Sequence, residues 1–536
     1  MRRLRTFFVV ALMLSGLAPA SILLAQSNNI KNNVFWDTKD GQPIFSQGGG
    51  VFRFADPATG AEKYYWYGVK YREAEMYRKD PSQTLAGDYF LSVTCYTSDD
   101  LVNWSFESDA LTRDEVTNNF PRTSWVGRLG VAYIKELNVY AMLVQHVNQL
   151  LILVSDSPAG PFKWHHRKDM QPLIGTPNTG DQTVFTDPDT GISYLVYSLG
   201  KGRSQIFISE IGVVNGKVDL LDCTLVFKGA GREGNCMVKH NGKFYLLASN
   251  LYGWDSSYPY YLVAENVRGP YLPTNEMLIM PGSMDDYAHV TQTGFLINVR
   301  GTKQETVIYC GDRWADFAGN GLGYNQWVPL SFIGDTPYFN SLDSWNFNSV
   351  TGEWTVADDN NFVRNGSFEA DRRYIPSEVK PIQEHLKGWF TKVYAGNDVV
   401  IGSDKSPVLN YFNTQKDRET VVGEKSLNLS DVLPFTRKVF QIIEPTPFVT
   451  MPDGRYTLTA KVRRSGSFDQ LEMYAESGGV RTSVEILKSM SDWTTVVLPD
   501  IKVRGGKAEV GFWAVGDAGA QCLVDDVSLV KSQVAR

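Results

Sequence analysis

Short runs of aromatic and β-branched residues alternate along this chain with Gly, Asp, Asn and Pro, and this pattern predicts strands joined by turns. The apolar spacing typical of amphipathic helices is nearly absent. One kind of strand follows a polar turn five times, at intervals of roughly 50 to 75 residues. The five copies are Lys63–Tyr67, Asn138–Met142, Ser193–Tyr197, Lys243–Leu247 and Thr306–Tyr309.

A second element accompanies the repeated strand. Thr97–Trp104 is predicted to be a strand end and a turn that closes on a tryptophan, and Val154–Phe162 resembles Val263–Tyr271. Repeats of this length, each with several strands, are typical of propeller blades, and five copies predict five blades. The alternative is a β-sandwich in which the similarity arises by chance. We therefore predict an all-β protein, a five-bladed β-propeller followed by a β-sandwich (jelly roll).

The repeats end near Trp354, and the polar segment Ala357–Asn361 reads as a linker. Beyond it, a series of short motifs resembles that of jelly-roll carbohydrate-binding modules: Asn365–Glu369, Gly388–Phe390, Gly454–Leu458 and Asp525–Val530. The domain prediction is a propeller over residues 30–357 and a carbohydrate-binding-like β-sandwich over residues 362–533. This resemblance implies a fold rather than a ligand, because such sandwiches also serve as spacers. We expect the sandwich to fold independently and to be removable without unfolding the propeller.

The N-terminus has the three parts of a secretory signal peptide. Arg2, Arg3 and Arg5 precede an apolar run from Phe7 to about Leu24, which ends in small residues. A membrane anchor is the alternative, but the run is short and interrupted, and no later segment is apolar enough to span a bilayer. We predict a signal peptide over residues 1–25, no transmembrane segment after its cleavage, and an exported protein, periplasmic or secreted.

The amino-acid composition limits which classes of binding partner to expect. The net charge of -7 is spread without long blocks, which argues against nucleic acid as a partner. The 26 tyrosines and 13 tryptophans suit both a β-sheet core and the faces of sugars. The five cysteines form no Cys-x-x-Cys pair, so they indicate no zinc or redox motif. We expect them to be small buried residues, which leaves room for one disulfide without predicting it.

Between Trp36 and Trp354 the chain resembles glycoside hydrolase family 43, and most closely its exo-β-1,3-galactanase branch. The motifs that carry this resemblance, in order, are Trp36–Ile44, Tyr64–Gly68, Tyr96–Trp104, Asp181–Phe185, Arg232–Met237, Gly253–Trp254 and Asp312–Trp314. The resemblance implies an exo-acting, inverting hydrolase that releases a terminal galactosyl sugar from plant polysaccharide of the β-1,3-galactan or arabinogalactan type. The expected partner is therefore an oligo- or polysaccharide.

Hydrolysis with inversion needs a proton donor for the leaving oxygen and a base that activates water on the opposite face of the sugar. By resemblance, Glu233 is the proton donor, and its apolar neighbours would raise the pKa of its carboxyl group. Asp181 matches the carboxylate that orients the acid and tunes its pKa. The base is a departure from most of the family, because the strand that starts at Gln47 offers no carboxylate. The galactanase branch uses a glutamine instead, for which Gln292 is the best match and Gln47 the alternative.

Two further departures concern the sugar pocket. The galactanase branch has glutamates at the positions that are Val69 and Gly127 here, and both help to hold the terminal sugar. Their absence indicates a sugar with fewer or differently placed hydroxyls, or else weak or lost activity. The residues that remain as candidates for substrate binding are Gln47, Tyr67, Lys70, Arg128, Trp254 and Arg313.

No His, Asp and Glu cluster has the spacing of a metal site, so we expect no cofactor. A structural calcium ion, which some family 43 propellers hold, would be compatible with the sequence but is not demanded by it. Within the enzyme class the alternatives are an α-L-arabinofuranosidase, a β-xylosidase or a β-galactofuranosidase. Outside that class, the alternative is a sugar-binding propeller without catalysis.

Overall fold

The structure, a computed structural model, describes residues 28–81, 83, 85–121, 125–315, 318, 320–370, 386–397, 409–410 and 425–533. The segment predicted as a signal peptide, residues 1–25, lies outside them. In the described part of the chain no helix is both long and apolar enough to cross a membrane. Nearly all regular structure in these residues is antiparallel β-sheet, as the turn-bounded strand pattern predicts.

After a short strand, β1 (Asn29–Lys31), five antiparallel sheets follow one another along the chain, and each forms one propeller blade. The first blade consists of β2 (Gln47–Ala55), β3 (Glu62–Tyr71), β4 (Phe90–Ser98) and β5 (Ser105–Thr112). The second consists of β6 (Val126–Ile134), β7 (Val139–His146), β8 (Gln149–Ser155) and β9 (Lys163–Lys168). The third consists of β10 (Thr179–Thr186), β11 (Ser193–Leu199), β12 (Gln205–Val214), β13 (Lys217–Leu220) and β14 (Thr224–Lys228). The last two consist of β15 (Glu233–His240), β16 (Lys243–Ser249), β17 (Pro259–Ala264) and β18 (Leu278–Ile279); and β19 (Gln292–Arg300), β20 (Glu305–Ala315), β21 (Asn320–Ile333) and β22 (Thr336–Phe339). Short helices occupy α1 (Arg72–Lys79), α2 (Arg113–Asn119), α3 (Gln171–Ile174) and α4 (Tyr287–Val290).

The five repeated strands predicted from the sequence are the second strands of the five blades, namely β3, β7, β11, β16 and β20. They are apolar on both faces because each blade packs against a neighbour on either side. In β3, for example, Trp66 packs toward the last blade and Tyr67 toward the second, although both are fully buried. Successive side chains of a strand point to opposite faces, so a blade strand needs aromatic residues at consecutive positions. The predicted five-bladed propeller is confirmed.

The first strand of each blade lies beside the first strands of the two neighbouring blades. The strands β2, β6, β10, β15 and β19 therefore surround a central channel. We call the end of the channel where these five strands begin the start end, and the opposite end the far end. Residues at the beginning of each strand meet at the start end even though they lie far apart in sequence.

Two features join the first blade to the last. β1 pairs with β23 (Ser344–Phe347), which in turn pairs with β24 (Trp354–Val356), so the segments before and after the blades form one small sheet. The rings of Trp66 in the first blade and Trp327 in the last lie 5.0 Å apart, and Trp36 packs on Trp327 at 5.1 Å. Buried aromatic pairs contribute about 0.5–1.5 kcal/mol beyond their burial, so this tryptophan cluster stabilises the closed ring.

The chain beyond the propeller forms two packed five-stranded sheets with orders β25-β28-β33-β30-β31 and β26-β27-β34-β29-β32. Their strands are β25 (Phe390–Ala395), β26 (Leu409–Asn410), β27 (Ser426–Ser430), β28 (Phe435–Ile443), β29 (Gly454–Ser465), β30 (Phe468–Ser477), β31 (Val480–Glu485), β32 (Met490–Val503), β33 (Ala508–Gly516) and β34 (Gln521–Lys531). One hydrophobic core fills the space between the sheets, from Phe368 and Trp389 to Leu529. This is the predicted β-sandwich, with inward apolar and outward polar positions alternating along β29.

The sandwich packs on the start end of the last two blades. Ion pairs join Arg364 to Asp285, just before β19, and Arg313, near the end of β20, to Glu369. The segment predicted as a polar linker is packed between the domains. The Asn360 side chain is 1% exposed, and its Oδ1 accepts the backbone N–H groups of Asp343 at 2.9 Å and Ser344 at 3.0 Å.

The five cysteines are unpaired, and four of them are buried: Cys95, Cys236, Cys310 and Cys522. Cys223 is half-buried and accepts a hydrogen bond from the Tyr197 hydroxyl at 3.4 Å. The expectation of small buried residues is therefore confirmed for four of the five.

Candidate active site

Each of the five inner strands is irregular where it begins. The pairing register shifts after Gln47, Val126, Thr179, Glu233 and Thr293, and a glycine lies within each shift. Such β-bulges turn a strand and re-aim its side chains. The bulges bring four polar side chains from four blades into one hydrogen-bonded cluster at the start end of the channel: Arg128, Asp181, Glu233 and Gln292.

Glu233 is held through both carboxyl oxygens. Its Oε1 accepts a hydrogen bond from Gln292 Nε2 at 2.7 Å, and its Oε2 accepts one from Arg203 Nη1 at 2.6 Å. The residue is only 8% exposed. A carboxyl group fixed at both oxygens has a defined orientation, which a proton donor needs.

Asp181 shares a donor with Glu233, because the same Arg203 Nη1 lies 2.7 Å from Asp181 Oδ1. The other oxygen of Asp181 accepts the backbone N–H of Gly234 at 2.8 Å and Arg128 Nε at 3.3 Å. Gly234 has φ +62°, and a Cβ there would lie 2.4 Å from the carbonyl oxygen of Thr293. Only glycine fits this turn, so the bulge that presents Glu233 also supplies a hydrogen bond to Asp181.

The two carboxyl groups have pKa values shifted in opposite directions. Burial, with the negative charge of Asp181 nearby, raises the pKa of Glu233 to about 8 although Arg203 and Arg128 oppose the shift. Burial would also raise the pKa of Asp181, but Arg203, Arg128 and the Gly234 N–H outweigh it and hold that pKa below its usual value. At neutral pH Glu233 is thus protonated and Asp181 is ionised. Carboxyl pairs whose pKa values are driven apart are typical of acid catalysis.

Gln292 connects the acid to Arg128. Its Oε1 accepts a hydrogen bond from Arg128 Nη2 at 2.7 Å while its Nε2 donates to Glu233, and the side chain is 5% exposed. These two bonds fix which end of the amide faces the acid. Gln292 Nε2 has a second N–H, for which the described residues offer no hydrogen-bond acceptor.

Arg128 also pairs with Asp312, which adds a further carboxylate to the cluster. Arg128 Nη1 lies 2.5 Å from Asp312 Oδ2, and Gly48 of the first blade donates its N–H to Asp312 Oδ1 at 2.9 Å. Burial raises the pKa of Asp312, against the effect of Arg128. With Glu233 protonated, the two arginines balance Asp181 and Asp312, so the buried cluster is neutral. Buried charges are tolerated when they are paired in this way.

The other candidate residues occupy different environments. Gln47 lies at the start of β2, and its Nε2 donates to the backbone carbonyl of Arg313 at 2.8 Å. Trp254 is half-buried and packs on Trp314 at 5.1 Å. Tyr67 has no exposed surface, and its hydroxyl donates to the Pro158 carbonyl, so it belongs to the core between the first two blades.

Lys70 lies 2.7 Å from Glu75 of α1 and has 24% of its side chain exposed. Arg313 is 5% exposed and turns toward Glu369 of the sandwich. The structure therefore places neither side chain among the hydrogen-bonded partners of Glu233 and Asp181.

The two positions without a glutamate are closely packed. Val69 is 2% exposed and pairs with Gln47 across the sheet. A Cβ at Gly127 would lie 2.4 Å from the Trp125 ring and 3.1 Å from Gln145 Oε1. A side chain at position 127 would require Trp125 to move, so Trp125 closes the space that a glutamate would need.

Sequence reasoning missed Arg203 and gave Asp312 no role. Arg203 follows Gly200, Lys201 and Gly202 in the turn between β11 and β12, and this basic, glycine-rich turn at the start end was the available signal. Asp312 directly precedes Arg313 in a motif that the sequence singled out. In the described residues, no group of three or more His, Cys, Asp or Glu side chains is placed to hold a metal ion.

A carboxyl group that keeps its proton at neutral pH beside an ionised one could act as the acid of a glycoside hydrolase. Residues 72–321 match the sequence model of glycosyl hydrolases family 43, and this chain therefore carries a glycoside hydrolase domain of that family. Among curated proteins, none matches the sequence.

Solved structures share the fold at low sequence identity. One is the exo-β-1,3-galactanase from Phanerochaete chrysosporium with β-1,3-galactotriose, which is 19% identical with a TM-score of 0.52, covering 94% of this chain and 100% of that one. Another is an exo-β-1,3-galactanase from Clostridium thermocellum, which is 18% identical with a TM-score of 0.50 and the same coverage. These likenesses extend over the propeller and the sandwich.

Proposed function

We propose that this protein is an exo-acting, inverting glycoside hydrolase that releases a terminal galactosyl sugar from plant polysaccharide of the β-1,3-galactan or arabinogalactan type. The observation that carries this proposal is the Asp181–Arg203–Glu233 arrangement, in which one guanidinium nitrogen lies within 2.7 Å of both carboxyl groups. It leaves one carboxyl protonated and the other ionised in the same buried cluster.

Glu233 donates its proton to the glycosidic oxygen as the bond to the leaving sugar breaks. A pKa of about 8 keeps the proton on Glu233 up to neutral pH, where a normal glutamate would have lost it. Asp181 keeps its negative charge close to the acid, which raises the pKa of Glu233 and resists loss of the proton before the substrate binds.

Inversion requires a water molecule on the face of the sugar opposite the acid. The proposed binding group for that water is Gln292, whose Oε1 is held by Arg128. Its 2.7 Å bond to Glu233 would have to open as the sugar enters between the two groups. By resemblance to the galactanase branch, the imidic-acid form of the Gln292 side chain would take the proton of the water on its nitrogen and return to the ordinary amide as its O–H proton passes to solvent. β2 begins with Gln47 and three glycines, so its start offers no carboxylate that could act on the water instead.

The galactosyl specificity rests on fold alone, because the galactanases above are less than a fifth identical to this chain. Val69 and Gly127 favour a second candidate within the family, an enzyme for another terminal sugar such as arabinofuranose, xylose or galactofuranose. Both positions lack a carboxylate acceptor and are closely packed. The C-terminal sandwich would then bring the enzyme to polysaccharide as a carbohydrate-binding module.

The deciding experiment incubates the protein with β-1,3-galactan, arabinogalactan and aryl glycosides of galactose, arabinofuranose, xylose and galactofuranose. Released sugars are identified by chromatography, and the first anomer formed is followed by NMR. The proposal predicts monomeric galactose whose anomeric configuration is opposite to that of the bond cleaved. The variant Glu233→Gln, tested on the two polysaccharides under identical conditions, excludes a contaminating hydrolase. Release of a different monosaccharide would support the second candidate, and retention of configuration would contradict the proposed mechanism.

A further inference from the structure

One ion pair crosses from the sandwich to the start end of the propeller. Arg313 Nη2 lies 3.4 Å from Glu369 Oε2, and the two side chains are 5% and 2% exposed. Glu369 is itself fixed from within the sandwich, because its Oε1 accepts the backbone N–H of Lys425 at 2.6 Å. Glu369 of the sandwich therefore holds the buried guanidinium group of Arg313 in the propeller.

Arg313 stands between two residues of the same strand that belong to the candidate active site. Asp312 pairs with Arg128, and Trp314 packs on Trp254 and lies 5.9 Å from the guanidinium of Arg128. The backbone carbonyl of Arg313 also accepts the hydrogen bond from Gln47. Asp312 and Trp314 thus connect the end of β20 to the cluster, and Arg313 connects it to the sandwich.

The burial of Arg313 makes its partner important. Removing one member of a buried ion pair leaves an uncompensated charge, which is much more unfavourable than losing an exposed pair. Without Glu369 the Arg313 side chain would have to turn toward water or toward another carboxylate. Either movement would displace the strand end that carries Asp312.

We propose that the sandwich completes the catalytic end of the propeller, with Glu369 as a positioning residue that holds Arg313 and thereby the Asp312–Trp314 end of β20. The expected effect of Glu369 on turnover rests on the proposed function. Removal of residues 362–533 is still predicted not to unfold the propeller, but the propeller alone would expose Arg313 without its anion and should have a lower kcat.

The first test measures kcat, KM and the melting temperature of Glu369→Gln, Arg313→Met and the double variant on the substrate identified above. Each single variant should lower kcat by on the order of 10-fold with little change in KM, because misplaced groups weaken the transition state rather than binding. The double variant should lower kcat no further than Glu369→Gln alone, because Arg313 and Glu369 act through the contact between them, and Lys425, 3.9 Å from Glu369 Oε2, loses its anion in both variants. Glu369→Asp, which keeps the charge, should recover part of the activity.

The matched control is Asp285→Asn, which breaks another ion pair between the domains, that of Asp285 with Arg364. It should leave kcat and KM unchanged. If Glu369→Gln lowers only the melting temperature, or if Asp285→Asn lowers kcat equally, Glu369 has a merely structural role and the inference is wrong.

The second test does not depend on activity. Hydrogen exchange followed by mass spectrometry should show faster exchange in peptides that cover the end of β20 in Glu369→Gln, and no such change in Asp285→Asn. Equal protection in wild type and Glu369→Gln would overturn the inference. Failure of wild type to release sugar from any substrate would instead contradict the proposed function, while the exchange result would still decide the inference.

Discussion

The two ends of the central channel are built from the same five strands but differ in charge and packing. At the start end the strands are bulged, and Arg128 and Asp312 pair with side-chain exposures of 5% and 1%. At the far end the inner strands pair regularly with the next strands of their blades and surround a cavity of about 910 Å³, lined by aromatic rings such as Phe52, Phe54 and Tyr140.

Ion pairs occur at the far end as well; one of them, between Lys239 and Asp187, is buried with 11% and 6% of the side chains exposed, and others are solvated. Arg53 lies 3.5 Å from Glu62, and Arg300 lies 2.5 Å from Asp189, with 46% or more of each side chain exposed. Exposed pairs of this kind contribute little to stability and change pKa values without chemical consequence. The cavity at the far end is therefore lined in part by charges that are paired in contact with solvent.

The comparison favours the start end for the proposed chemistry, because its buried charges constrain one another and shift the pKa values of Glu233 and Asp181 in opposite directions. Strongly shifted pKa values with identifiable charged neighbours are typical of functional sites. Substitutions at four residues test the difference between the two ends, and we describe them from the largest expected effect to the smallest.

Glu233→Gln should lower kcat on the natural polysaccharide by about 10²–10⁴-fold, because the amide keeps the shape of the acid but has no proton to give. The measurement is initial rate by reducing-sugar release, with circular dichroism to show that folding is intact. A reactive aryl glycoside is the control substrate, since its leaving group scarcely needs the acid. An unchanged rate on polysaccharide would exclude Glu233 as the donor.

Gln292→Ala should lower kcat more than KM, because the contacts of the amide with the attacking water strengthen in the transition state. Gln292→Glu should keep activity and acquire a limb of the pH profile set by a carboxylate, which would be an ordinary general base. If Gln292→Ala has the wild-type kcat, the search for the water-binding group moves to Gln47, and Gln47→Ala becomes the next variant.

The pH profile of kcat/KM should fall on the basic side at about pH 8, because Glu233 loses its proton as the pH rises through its pKa. Arg203 lowers that pKa, so Arg203→Met should raise it and move the basic limb to higher pH. The pKa of Asp181 would rise too, which should move the acidic limb upward. The exposed Arg167→Met is the control, and limbs that stay in place in Arg203→Met would contradict the assignment.

Arg300→Met, at the far end, should leave kcat, KM and the pH profile unchanged, because its partner Asp189 is solvated and both lie away from the cluster. Kinetics on the same polysaccharide, at two salt concentrations, test this. A loss comparable with that of Arg203→Met would show that the far end participates in the reaction and would remove the distinction drawn here.

Several features were predictable from the sequence because they depend on local pattern. Five aromatic strands at blade spacing predicted the propeller, and the ordered motifs around Asp181 and Glu233 pointed to two members of the cluster. Burial of four cysteines followed from their small size and unpatterned spacing. Tyr67 shows the limit of such reasoning, since a tyrosine suited to a sugar face lies instead in the core between two blades.

The sequence by itself determined which residues form strands and which are candidates for acid chemistry, because periodicity and residue type are properties of the chain. Only the tertiary structure decided which charges meet. Arg203 reaches Glu233 from 30 positions away, Arg128 reaches Asp312 from 184, and Glu369 reaches Arg313 from another domain. Those contacts arise because the bulged starts of the inner strands converge on one axis, and nothing in the local sequence around any one of these residues records that convergence.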